Sequence, residues 1–306
     1  NTSLLSTDWY IDQMKRAAYD AAPIPSSLDW DKYKQGTRDY LPIYDRDIGH
    51  VELSDIITFI ADDSQNSKIP TSRGKSDYCP TNKLKLTVDK EKVLALGIVD
   101  SSEAYNIVDE VKWKIKGQGF AKNQLMVLDI LANFAWERPI YFAITVGNDN
   151  FMGLDNYFQL EGLAYRFVPV KTKSLDGQTG IVATDEMYDN LINKFKWGNM
   201  GDPSVYLDET NMRMTMNFRN NFARLADALI MEGQFKKAEN VLDRCIEVMP
   251  NEAIPYNYFN LPIADAYYRI NENEKGNEII MTLAENYFDE LVEKKLCLKI
   301  YQKNIL

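Results

Sequence analysis

Histidine is nearly absent from this chain: His50 is the single one in 306 residues. One imidazole excludes a metal site built on several histidines. A serine–histidine–acid triad would have to use His50, which follows Gly49 in a turn with no nucleophile elbow beside it. Cysteine is scarce too. Cys79, Cys245 and Cys297 stand far apart, and an odd number without paired spacing is neither a disulfide framework nor a zinc site. Cys245 reads as a small core residue. Long apolar runs are missing. The best, 125–136, is interrupted by Asp129 and Asn133 and falls short of the roughly 18 residues a membrane span needs. There is no initiator Met and no basic-then-apolar leader, so the expectation is a soluble segment of a longer protein. Basic charge is in deficit: 35 Lys and Arg face 45 Asp and Glu, a net charge of −10. That balance disfavours nucleic acid and an anionic membrane surface as partners.

What is present is globular: 45% of residues are hydrophobic and 12% aromatic, in a chain long enough for two domains with a core each. Residues 219–252 carry the strongest pattern. Phe222, Leu225 and Leu229 give a first helix an apolar face, with Ala226 at its closest approach. Gly233 marks a turn, Ala238, Leu242 and Cys245 line a second helix, and Pro250 stops it. This order of large and small residues resembles one tetratricopeptide repeat. A shift of 38 residues gives a weaker copy, with Leu225 falling on Ile263, Ala226 on Ala264, Leu229 on Tyr267 and Ala238 on Gly276. Asn271 and Asn273 there replace the glycine turn, and 286–306 is helical in pattern with no polar cap. Such repeats stack, and the stacked surface binds or scaffolds.

Upstream the pattern is mixed. Helices are expected over 8–22, with Trp9, Met14, Ala17 and Ala18 on one face, and over 52–61, 123–136 and 184–197, the last capped by Thr184 or Asp185. Strands are expected over 84–88, 111–115, 139–146 (buried) and 164–170, and 62–80 reads as a polar loop. The fold class is therefore a mixed α/β domain over 1–210, followed by an all-α, tetratricopeptide-like stack of helical hairpins over 211–306.

Catalytic signatures are weak. Arg73-Gly74-Lys75-Ser76 ends like a phosphate loop, but Ile69 stands where its first glycine belongs. Gly117-Gln118-Gly119 opens like a dinucleotide fingerprint, but Lys122 takes the third glycine's place, and a turn is the better reading. No cofactor and no metal are expected. Glu137, Asp149, Asp155 and Glu161 flank the strand that begins at Pro139, and two of them could form a glycosidase-like acid pair. The weak catalytic candidates are Glu137, Asp155 and Glu161. Glu137-Arg138 reads better as an ion pair pinning a helix-to-strand turn. For the repeats, Asn220, Asp227, Tyr258, Asp265 and Tyr268 are expected on a groove whose two aspartates favour a neutral or basic peptide.

Three strings, NTSLLSTDWYIDQM at 1–14, LDILANFAWERPIYFA at 128–143 and EGLAYRFVP at 161–169, resemble a family of bacterial multi-pass membrane proteins of formerly unknown function. That family is regarded as glycosyltransferase-like, related to protein O-mannosyltransferases. Its members place a membrane domain first, then an extracytoplasmic region often ending in tetratricopeptide repeats. The resemblance implies that the chemistry resides in the membrane domain, so no catalytic residue carries over. It implies a non-catalytic periplasmic region that holds an acceptor protein, a partner or its own membrane domain. A stand-alone tetratricopeptide binding module and a soluble carbohydrate-active enzyme using carboxylates near 137–161 stay open beside it.

Overall fold

The computed structural model describes residues 3–16, 22–71 and 74–303. Contacts divide the chain into two compact units, Asn1–Gln159 with Tyr165–Ile181, and Leu160–Ala164 with Val182–Leu306. A mixed α/β region and a helical region are both present, as expected. The helices of the second region become long from Glu209, one residue before the expected border, whereas contacts divide near Ile181.

The first unit opens with helix α1 (Asp8–Lys15) and strands β1 (Tyr40–Pro42) and β2 (Val51–Glu52). Helix α2 (Leu53–Ala61) follows, then β3 (Lys68–Thr71), β4 (Gly74–Asp77), β5 (Lys83–Thr87) and α3 (Lys90–Ala95). Next come β6 (Glu110–Lys114), β7 (Gly119–Ala121), α4 (Lys122–Asn133), β8 (Tyr141–Ala143), β9 (Phe158–Leu160), β10 (Ala164–Phe167) and β11 (Ile181–Val182). The strands are short and form four small sheets: β1-β7, β2-β5-β6, β3-β4 and β11-β9-β10-β8. Alternation decides which side is buried. Leu84 and Leu86 of β5 point inward opposite Trp113 and Val111 of antiparallel β6. Helix α2 buries Leu53, Ile56, Ile57 and Ile60, one stripe of a 3.6-residue period, and packs on α4. Two left-handed residues, Ala135 and Trp136, follow the end of α4, and the Trp136 ring stacks on Phe167 at 5.3 Å.

Several expectations are corrected. Helix α1 stops at Lys15, because Arg16 is extended, and its N-cap is Thr7. Ile11 is its buried residue while Trp9 is exposed; Ala17 and Ala18 lie outside the described residues. The expected polar loop 62–80 contains the β3-β4 hairpin, in which Ile69 pairs with Ser76. The phosphate-loop resemblance thus falls on two paired strands; Arg73 lies outside the described residues. Gly119 sits in β7 against β1, where a Cβ would come within 2.5 Å of the Leu41 carbonyl oxygen. That close approach, rather than a nucleotide, accounts for its glycine. The buried strand expected over 139–146 shrinks to β8, with Phe142 inward and Tyr141 outward.

The second unit contains α5 (Thr184–Asp189), α6 (Glu209–Met231), α7 (Phe235–Val248), α8 (Leu261–Arg269) and α9 (Asn273–Lys303). Helix α5 runs into one π-helical turn at Asn190–Lys194, and its N-cap is Ala183, without a side-chain cap. Thr184 and Asp185, expected to cap it, instead bond Glu232 at 3.0 Å and Lys237 at 3.0 Å. Helix α6 is capped by Asp208, whose carboxylate accepts the Asn211 amide at 2.7 Å, and it starts ten residues before the expected 219. Helices α6 and α7 form one hairpin, α8 and α9 a second. Gly233 turns the first with φ +75°, and Asn271, 38 residues on, turns the second with φ +65°. Both need the left-handed region that glycine and asparagine tolerate. Leu225, Ala226 and Leu229 are buried, and so are Ile263, Ala264 and Tyr267 at the same offset. Among the described residues no strand interrupts 217–300, and no helix is long and apolar enough to cross a membrane.

Candidate binding surface

The helical hairpins are held from within by an arginine. Arg219 is fully buried, on the same face of α6 as Phe222 and Ala226. Its guanidinium donates to the carbonyls of Ile254 at 2.6 Å, Pro255 at 3.1 Å and Met249 at 3.3 Å. It also lies 5.3 Å from the Tyr256 ring centre. Burial pulls its pKa below the usual arginine range. The three carbonyls belong to the segment joining α7 to α8, so Arg219 fixes the spacing of the two hairpins. Because the first half of α6 meets the end of α7, the two helices run antiparallel.

The residues expected on the groove stand in different surroundings. Asp227 of α6 pairs with Arg269 of α8 at 2.5 Å, and Asp265 lies 3.9 Å from the same guanidinium. Arg269 was not anticipated; it sits between the two aspartates and offsets part of their charge. Asn220 is half-buried on α6. Tyr258, before α8, is exposed with its ring 4.3 Å from that of Phe259. Tyr268 turns toward α9, where its hydroxyl donates to Asn277 at 2.9 Å and its ring lies over Gly276. The structure therefore joins Asp227 and Asp265 through Arg269 and sends Tyr268 to the α8–α9 seam.

A cavity of about 440 Å³ lies elsewhere in the second unit, lined by Asp243, Asn251, Tyr256, Tyr267, Lys275 and Glu278 together with the apolar Ile246, Pro250 and Ile279. The Tyr267 hydroxyl donates to Asp243 at 2.8 Å, and Lys275 reaches Asp243 at 2.7 Å and Glu239 at 3.0 Å. Burial, then the Asp243 carboxylate, pushes the Tyr267 phenol far up. Burial works against the Lys275 cation, but its bonds to Asp243 and Glu239 outweigh that and raise its pKa.

In the first unit the acidic candidates stand in different surroundings. Glu137 is exposed and pairs with Lys92 at 2.9 Å, which lowers its pKa. The expected Glu137–Arg138 pair is replaced: Arg138 donates to the Pro23 carbonyl at 3.1 Å. Asp149 and Asp155 line one cavity of about 250 Å³ with Lys116, Gln124, Asn148 and Thr179. Glu161, counted with the second unit, is buried, and its carbonyl accepts from Asn190 at 2.6 Å. Among the described residues no group of three or more His, Cys, Asp or Glu is placed to hold a metal ion.

The strongest polar cluster of the first unit was not anticipated. Asp129 of α4 is fully buried. Its carboxylate accepts from the Ser26 hydroxyl at 2.5 Å, the Ser27 amide at 2.8 Å, the Leu28 amide at 3.2 Å, the Tyr33 hydroxyl at 2.8 Å and Asn133 at 2.9 Å. Lys15 donates to Ser26 and to the Leu28 carbonyl, both at 2.5 Å. Burial lowers the Lys15 pKa, against the pull of Asp129. Burial and the neighbouring carboxylate raise that of Tyr33. Every donor except Asn133 comes from 26–33, far from Asp129 in sequence, so the cluster ties that segment to α4. The signal in the sequence is an acid inside an apolar helix, one residue after Leu128.

Comparison with known proteins bears on the first unit and the start of the second. Residues 1–186 match the model of a family described as TMEM260-associated domain 2. The match spans more than half of the 306 residues, and the chain belongs to that family, a domain associated with a membrane-protein family. No curated protein and no solved structure matches. The match ends before Glu209, so both helical hairpins lie outside it.

Proposed function

We propose that this member of the TMEM260-associated domain 2 family is the non-catalytic, extracytoplasmic region of a glycosyltransferase-like membrane protein. Its two hairpins are tetratricopeptide-like repeats that hold an acceptor protein, a partner or the parent's own membrane domain. In a bacterial cell that places the chain in the periplasm. The observation that carries the reading is the internal repetition. The left-handed turn residue recurs after 38 residues, and the buried positions of α6 recur in α8. Repetition of one supersecondary unit with a shared core is how binding solenoids are built. The family match favours a part of a larger protein over a stand-alone module. The exposed α6–α8 face carries Asp227, Asp265 and Arg269, a net negative patch suited to neutral or basic peptides. Fluorescence anisotropy with peptides of graded charge tests this. Neutral and basic peptides bind, and Asp227→Lys with Asp265→Lys removes the binding. Tight binding of acidic peptides alone refutes it.

A second reading, a soluble carbohydrate-active enzyme, draws on the cavity that Asp149 and Asp155 share. Two carboxylates beside amide side chains are the ingredients of acid–base attack on a glycosidic bond. Glu137, held by Lys92 on the surface, does not line that cavity.

A further inference from the structure

Helix α9 exposes an apolar stripe along its middle. Met281 is 62% exposed, Phe288 66%, Leu291 66% and Val292 50%. With Ala284, the positions 281, 284, 288 and 291 keep the alternating three- and four-residue spacing of a helix–helix seam. The repeat itself identifies this face. Asp243, Ile246 and Pro250 stand 38 residues before Met281, Ala284 and Phe288. They line one cavity together with Lys275, Glu278, Ile279 and Thr282 of α9. The face that one hairpin covers with the next is therefore the face α9 leaves exposed among the described residues.

Charge along the helix selects the occupant. From Glu278 to Glu293 the sequence has five carboxylates (Glu278, Glu285, Asp289, Glu290, Glu293) and no lysine or arginine. From Lys294 to Lys303 it has four lysines and no acid. A stretch of helix acidic over 278–293 and basic over 294–303 is complementary to itself only when reversed. Antiparallel pairing of two identical helices also satisfies a closed two-fold interface.

We propose that α9 pairs antiparallel with α9 of a second copy of this chain. The two-fold axis passes near Leu291 and Val292, whose side chains from both copies form the centre of the seam. Asp289 and Glu290 of each copy then stand opposite Lys294 and Lys295 of the other. Phe288 covers the flank on each side. One helix pair is a small interface, so the dimer forms at micromolar rather than nanomolar concentration.

Sedimentation velocity of the whole 306-residue chain, from low micromolar to submillimolar, is the test. The expected result is a reversible monomer–dimer equilibrium. Phe288→Glu with Leu291→Glu yields a monomer of unchanged helicity by circular dichroism. Lys294→Glu with Lys295→Glu weakens the dimer about tenfold or more, and adding Asp289→Lys with Glu290→Lys restores it. That rescue is specific to the reversed pairing, because parallel helices would set like charges against each other. A chain monomeric at every concentration overturns the proposal. So does a dimer indifferent to the apolar substitutions, or one that the fourfold charge exchange does not restore.

Discussion

Replacing Asp129 by alanine is the most informative perturbation of the first unit. The carboxylate is the shared acceptor of five residues, and its loss strands their donors unequally. The Tyr33 hydroxyl and the Leu28 amide belong to buried residues that water does not reach. An unsatisfied buried donor costs about 1–3 kcal/mol, so these two account for about 2–6 kcal/mol. Ser26, Ser27 and Asn133 lie closer to solvent and rehydrate at little cost. The expected destabilisation is about 4 kcal/mol, a large part of the roughly 5–15 kcal/mol that holds a domain folded. Asp129→Asn keeps one acceptor oxygen and costs about half as much. Urea unfolding followed by tryptophan fluorescence measures both, with Trp30, Trp113 and Trp136 reporting on this unit. A loss below about 1 kcal/mol for Asp129→Ala would show that the carboxylate behaves as a solvated surface group, and the anchoring argument would fail.

Three further outcomes follow from the packing. Ala226→Leu forces a larger side chain into the fully buried contact of α6 and costs about 1–3 kcal/mol; an unchanged melting temperature argues against close packing there. Arg219→Leu leaves the Met249, Ile254 and Pro255 carbonyls without their donor and costs about 2–4 kcal/mol, read as a lower melting temperature and faster amide exchange between α7 and α8. Stability also declines in alkali. Burial pushes the Cys79 thiol up to about 11 and the Cys245 thiol up to about 12 from an ordinary 9.0, and the Tyr33 and Tyr267 phenols rise from 10.0. The unfolded chain loses these protons first, so the stabilisation is complete below about pH 9 and is lost as pH rises through 9–12; a melting temperature flat across that window contradicts the burial of these groups.

The sequence was most legible where one period ran without interruption. The hairpins of the second unit were readable because Leu225, Ala226 and Leu229 repeat after 38 residues, and because Gly233 and Asn271 are residues that tolerate positive φ. The first ten residues of α6 were missed because ETNMRMTMNF mixes flexible methionines with polar residues and has no clear stripe. The β3-β4 hairpin was hidden because both strands are polar and lie largely at the surface, so burial leaves no alternation to read. Residues 139–146 misled in the other direction, since PIYFAITV is apolar throughout but only Tyr141–Ala143 pairs as a strand. Asp129 was read as a break in an apolar run when it is the buried centre of that run's hydrogen bonding. Arg219 stood in the first position of the best-recognised string, three residues before Phe222, and helical spacing alone placed it on the core face. Its partners are backbone carbonyls some thirty residues away, which no side-chain pattern announces. Arg269 escaped notice likewise, because its pairing with Asp227 depends on how α8 lies against α6.

The central claim is that this chain binds and does not catalyse. Incubating the purified 306-residue chain with lipid-linked sugars and a panel of chromogenic glycosides tests that claim most directly. The account predicts product no faster than in buffer, with wild type and Asp155→Asn indistinguishable. Turnover that disappears in Asp155→Asn while the melting temperature is kept would contradict it, and would make the cavity of Asp149 and Asp155 an active site.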